Sequence, residues 1–253
     1  MISRDGEPPG GRPRAVISWS SGKDAAWALA EVRRVGELDV VGLLTTVSET
    51  FHRVSMHGVR EEILERQAAS TGLPLFRVPI PYPCPNETYE RAMATALEHL
   101  RDQGVRRMVF GDLFLDDVRR YREERLAGSG IVPVFPLWGR PTRALAEEMI
   151  AGGLRAHLVA VDPRQLSRGF AGRSYDRTLL EELPPGVDPC GERGEFHTCV
   201  SAGPMFDRPL DLRRGPVVDR DGFVFADLVL ADDARAPPRS FGRAEPSPVG
   251  RPR

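Results

Sequence analysis

Lys23 is the only lysine in a chain of 253 residues with 35 Lys and Arg together, and it lies in Ser18–Leu29, SWSSGKDAAWAL. An apolar run precedes this stretch and a helical pattern follows it. Gly22 permits a tight turn, and the first N–H groups of the following helix are then left unpaired, with the positive end of the helix dipole behind them. Ser20 and Ser21 add hydroxyl donors and Lys23 adds a positive charge. Together they make a site for an anion such as a phosphate. The loop is neither a Walker A sequence nor GxGxxG. A lysine kept where every other cation is arginine points to a crowded position that a planar guanidinium cannot occupy.

Other residues able to do chemistry follow. Gly111-Asp112 closes an apolar run, at a place suited to a ligand. In CGERGEFHTCV, Glu192, Glu195 and His197 are able to bind a substrate amine or move protons. LWGRPT is able to bring Trp138 and Arg140 over a pocket, with Trp138 as a plain core residue an equal reading. Asp24 suits a helix start, where the dipole favours a carboxylate. His57, before a helical pattern, reads on its own as a cap or surface residue, and His52 as surface. Cys190, His197 and Cys199 match no standard zinc spacing. The alternating charges of Asp116–Arg125 read as a solvated helix face.

These residues need elements to position them. Short β-rich runs recur at Ala15–Trp19, Val40–Val47, Leu75–Ile80, Arg106–Phe110, Val132–Phe135 and His157–Val161. Helical patterns separate them, the clearest carrying Tyr89, Ala92, Met93, Ala96, Leu97 and Leu100 on one stripe. The alternation predicts an α/β fold, a doubly wound, mostly parallel sheet of five or six strands. Ligands of such sheets sit beyond the carboxyl ends of the strands. A smaller C-terminal α+β region should follow. The expected divisions are a disordered N-terminus (1–13), a domain carrying the anion-binding loop (14–162), a smaller substrate region (163–231) and a disordered tail (232–253).

The formal charge is −1, which provides no chain-wide basic field for nucleic acid. Three cysteines form no disulfide framework, and no apolar run approaches a membrane span, so a cytoplasmic protein with no membrane partner is expected. A homodimer is left open.

SSGKDA resembles the PP-loop of the N-type ATP pyrophosphatases, a Rossmann-like (HUP-type) superfamily. Within it the chain is similar to the diphthine–ammonia ligase family. The further matches are TVSE at 46–49, MHGVR at 56–60, FGDL at 110–113, LWGR at 137–140, Gly172-Arg173 and GERGEFHT at 191–198. The resemblance implies an ATP-dependent, AMP- and pyrophosphate-forming amide ligase. In it, a small-molecule or protein-borne carboxylate is adenylated and passed to ammonia or an amine. Ser18, Ser20, Ser21, Gly22, Lys23, Asp24, Gly111, Asp112, Trp138 and Arg140 would hold ATP, with Val47, Ser48, Met56 and His57 lining the nucleotide pocket. Asp24 and Asp112 would hold Mg²⁺, and Lys23, Asp24, Glu192, Glu195 and His197 would be catalytic. Arginine-rich usage suggests a bacterial member. Ser21 replaces a loop glycine and Ala25 the terminal loop serine. The loss of that hydroxyl raises, as alternatives, an ATP- or AMP-binding module without turnover and, with less support, a tRNA-modifying enzyme.

Overall fold

The computed structural model describes residues 11–231. The expected disorder of both termini lies largely outside them. Five strands make a parallel sheet: β1 (Arg14–Ser18), β2 (Asp39–Ser48), β4 (Leu75–Ile80), β5 (Val105–Val109) and β6 (Val132–Val134). A two-residue strand, β3 (Arg53–Val54), pairs antiparallel with the end of β2 and makes six. The parallel order is β4-β2-β1-β5-β6, so the winding direction reverses between β1 and β5. A crevice opens there at the carboxyl ends.

Side chains alternate across the sheet because successive residues of a strand face opposite ways. Ala15, Ile17, Leu43 and Val109 join one core with α1 (Lys23–Val35), α2 (Glu61–Thr71) and α5 (Thr142–Ala151). Val16, Leu44 and Met108 join the other with α3 (Asn86–Asp102) and α4 (Asp116–Leu126). In α1 the small residues Ala25 and Ala28 let the helix lie close to the sheet, and Gly36 ends it at φ 74°.

The run at 157–161 lies elsewhere than the alternation suggests. As β7 (Arg155–Val161) it pairs antiparallel with β8 (Phe196–Ala202) and β10 (Phe223–Leu230), and β9 (Leu212–Arg220) completes a second sheet of order β8-β7-β10-β9. A short helix, α6 (Arg177–Glu182), lies in the β7–β8 connection. Buried charges tie the two sheets. Asp227 on β10 accepts from Arg53 at 2.8 Å and from Arg60 at 2.6 Å. Among the described residues no helix is long and apolar enough to cross a membrane.

Candidate active site

At the β1–β5 reversal lies a cavity of about 190 Å³, lined by the start of α1, the loop after β5, and the segment leading into β8. Ser18, Ser20, Gly22, Lys23 and Asp24 come from the first, Gly111 and Asp112 from the second, Glu192, His197 and Thr198 from the third, and His57 from the turn before α2. The loop after β5 comes so close that a Cβ on Gly111 would stand 2.6 Å from the Asp24 carbonyl carbon. Only glycine fits there.

The loop is braced from behind. Lys23 N–H donates to Thr198 Oγ1 at 3.1 Å, so the helix start is capped from the second sheet. Val200 N–H donates to the Ser21 carbonyl at 2.9 Å. The Gln67 amide donates to that same carbonyl and to Val200 O, and its oxygen accepts from Trp19 Nε1 at 3.0 Å.

Ser21 is fully buried at φ 68°, a conformation that costs a residue with a Cβ about 1–2 kcal/mol, and its hydroxyl has no partner. Ser21→Gly keeps the backbone bonds and removes both penalties. Thermal denaturation should show a gain of about 1 kcal/mol, roughly 2–4 °C in Tm.

Lys23 is 2% exposed. Its ammonium donates to both carboxylate oxygens of Asp24, at 2.7 and 3.0 Å, and to the Cys190 carbonyl, and stands 5.6 Å from the ring centroids of Tyr175 and Phe196. Burial opposes its charge, but Asp24, Cys190 and Glu192 more than offset that, so its pKa is raised and it stays protonated. Burial raises Asp24, against the pull of Lys23, with Asp188 and Asp112 adding to the rise. Asp112 is held by both nitrogens of an Arg122 fork, which also lies 4.4 Å over Phe110. Burial pushes the Glu192 carboxyl up to about 7, although it accepts from Leu113 N–H at 2.7 Å.

That value makes a linkage measurable. A phosphate beside Glu192 adds negative charge, raises the carboxyl's pKa further and draws a proton from solvent. Calorimetry of ATP binding at pH 7, without added metal and in buffers of different ionisation enthalpy, should show net proton uptake. Glu192→Gln should remove most of it.

Two chambers adjoin the cavity. One, of about 620 Å³ between α3 and α4, shares Ser18, Phe110 and Arg122 with it. The other, of about 400 Å³ and mostly apolar, shares His197 and lies between the β2–β3 turn and the β9–β10 hairpin. Ser48 and Met56 line this second chamber, while Val47 is buried in the core. Trp138 and Arg140 do not line the cavity: Trp138 packs against Phe135 beneath Arg119, and Arg140 pairs with Glu148. Glu195 also stands back, its Oε1 accepting from Asp188 N–H at 2.9 Å. Cys190 and Cys199 are buried thiols held near pKa 12 by burial.

Sequence reasoning missed Arg122, hidden in an alternating charge run, and the brace Gln67, an unremarkable helix residue. The Cys190 carbonyl has no side-chain signature at all. Asp24 and Asp112 offer hard oxygen donors on one cavity, and among the described residues no three potential ligands converge. That set suits an ion held by one or two carboxylates and by phosphates, as Mg²⁺ commonly is.

A family model described as the diphthamide synthase N-terminal domain matches residues 13–131, and its C-terminal counterpart matches residues 141–221. The diphthine–ammonia ligase of Danio rerio is 26% identical over 247 residues, covering 88% of this chain and 92% of that protein. The diphthine–ammonia ligase of Schizosaccharomyces pombe is 31% identical over 94 residues, 36% of this chain and 16% of that protein.

Proposed function

The chain belongs to the diphthamide synthase family of ATP-dependent, diphthine–ammonia ligase-like enzymes, and from that premise we propose that it adenylates a substrate carboxylate and transfers the acyl group to ammonia or an amine. The observation that carries this reading is the cavity at the sheet reversal, where a helix start, a caged ammonium and three carboxyl groups meet.

The triphosphate lies against the first turn of α1, with Ser20 and the backbone amides of Asp24 and Ala25 toward its oxygens, since those of Gly22 and Lys23 are taken by Ser20 and Thr198. The adenosine end extends past Ser18 and Phe110 toward the larger chamber. The carboxylate attacks the α-phosphorus and pyrophosphate departs. Lys23 offsets the charge gathering on the leaving group, and this preorganised donor costs no rearrangement during the reaction. Arg122 steadies Asp112 and adds a second positive charge at the same wall. Asp24 and Asp112 would hold Mg²⁺, which when bound neutralises phosphate charge. Glu192, near neutrality, is able to hold or release a proton beside the reacting groups.

The relatives' name gives diphthine and ammonia as their substrates. The test therefore supplies two acyl sources, a diphthine-bearing protein and a small-molecule extract freed of enzymes by heat. Each is given with ATP, Mg²⁺ and ¹⁵N-ammonium. AMP, pyrophosphate and ¹⁵N-labelled product in equal amounts are expected from at least one source. ATP bound without AMP formation would instead select the non-catalytic module, a reading that Ala25 at the cavity wall favours.

A further inference from the structure

Five buried polar side-chain atoms among the described residues have no hydrogen-bond partner, and three lie within ten residues of one another: Ser48 Oγ, Ser55 Oγ and His57 Nδ1. Leaving a buried polar atom unpaired is costly, so three such atoms on one short segment mark a place that a small polar ligand would fit. Ser48 and Ser55 line the apolar chamber. His57 lines the reaction cavity, and its ring lies 4.4 Å from that of His197, which borders both spaces. The three residues thus span from the chamber to the cavity.

We propose that the chamber is the entry of the amine nucleophile, that neutral ammonia donates hydrogen bonds to Ser48 Oγ and Ser55 Oγ on its way, and that His57 Nδ1 takes its proton as it attacks the acyl group. This rests on the ligase reading above.

Three features support it. First, Nδ1 is the buried, unpartnered ring nitrogen of His57, a residue bordering the reaction cavity, so it can take a proton without giving up another hydrogen bond. Second, burial, then His197 and Lys23, lower the His57 pKa well below the ordinary value, and burial and Lys23 bring His197 to about 4. Both rings rest neutral. Third, a fixed positive charge stands at the chamber's aromatic wall. The Arg220 guanidinium lies 3.9 and 5.1 Å from the Phe51 and Tyr82 ring centroids, where it takes those ring faces and opposes an entering ammonium, while the chamber's Asp221 carboxylate is engaged by Arg220 and the Tyr82 hydroxyl. Ammonium has no lone pair, so excluding it admits the reactive form.

The step balances. The nitrogen lone pair forms the C–N bond, and the acyl C–O bond to AMP breaks with its electron pair going to the AMP oxygen. One N–H proton passes to Nδ1 and is lost to solvent when amide and AMP leave.

The experiment uses whichever acyl source supports turnover of the unaltered protein; if neither does, the ligase reading has failed and the proposal falls with it. Ser48→Ala with Ser55→Ala should raise the KM for ammonium on the order of tenfold, with the acyl KM unchanged. His57→Gln should lower the rate of amide formation by about 10²-fold while ATP–pyrophosphate exchange persists, and hydroxylamine, whose adduct carries a far more acidic N–H and sheds it to water unaided, should restore product. A raised acyl KM with an unchanged ammonium KM would assign the chamber to the acyl group, and loss of exchange in His57→Gln would assign the ring to nucleotide binding. Either result, or no change, overturns the proposal. Should a variant fail to fold, ¹⁵N resonances of the unaltered protein decide: an unprotonated Nδ1 from pH 6 to 8 is expected, and a protonated one refutes it.

Discussion

Lys23→Arg should lower kcat by about 10²–10³-fold, although it preserves the charge. The ammonium occupies a closed space bounded by the Asp24 carboxylate, the Cys190 carbonyl and two aromatic rings, and almost none of the side chain reaches solvent. A compact ammonium satisfies two acceptors there. A guanidinium is longer and planar, presents five donors in a rigid fork, and has no room to turn. It must either push Tyr175 and Phe196 apart or swing into the phosphate cavity. Both outcomes move Asp24. Single-turnover measurement of AMP release, with circular dichroism to confirm the fold, reads the effect. Parent-like turnover in Lys23→Arg would remove the reason for the lone lysine.

Asp227→Asn should be the most destabilising exchange of similar shape, by about 3–5 kcal/mol, or roughly 6–20 °C in Tm. Arg53 and Arg60 both reach the buried Asp227 carboxylate, whose own exposure is 1%. An amide offers one acceptor and no charge, so two guanidiniums would face each other without the anion they share. Burial pushes Asp227 up, yet its bonds to Arg60 and Arg53 outweigh this and leave its pKa lowered. A lowered folded pKa means that the stabilisation is present above the ordinary carboxylate value of 3.8 and is lost as pH falls through the folded one. The unaltered protein should therefore keep this link in mild acid. Urea denaturation between pH 3 and 7 would show the variant's deficit narrowing at the acid end.

What could be read from the sequence was what is local. Alternating apolar runs and helical stripes specify strands, helices and a parallel sheet, and SSGKD carries its turn and charges within a few residues. Pairing direction is not local. The run HLVAV looks like any buried strand, and only the distant partners Thr198 and Val224 make it antiparallel. The same limit applies to the site. Lys23 and Glu192 were legible because their types are unusual in their settings, but Arg122 becomes special only when α4 swings it onto Asp112. Trp138 and Arg140 followed a strand end in the expected way, yet β6 is three residues long and lies at the sheet edge, so its loop stays clear of the crevice.

The bond from the Lys23 amide to Thr198, with that from Val200 to Ser21, means that the anion loop does not own its shape. A polypeptide stopped before residue 155 would contain every letter of SSGKD, yet of the brace only Gln67 would be left to hold that bend. Swapping the C-terminal half for that of a distant cousin would retune nucleotide affinity as surely as editing the loop itself.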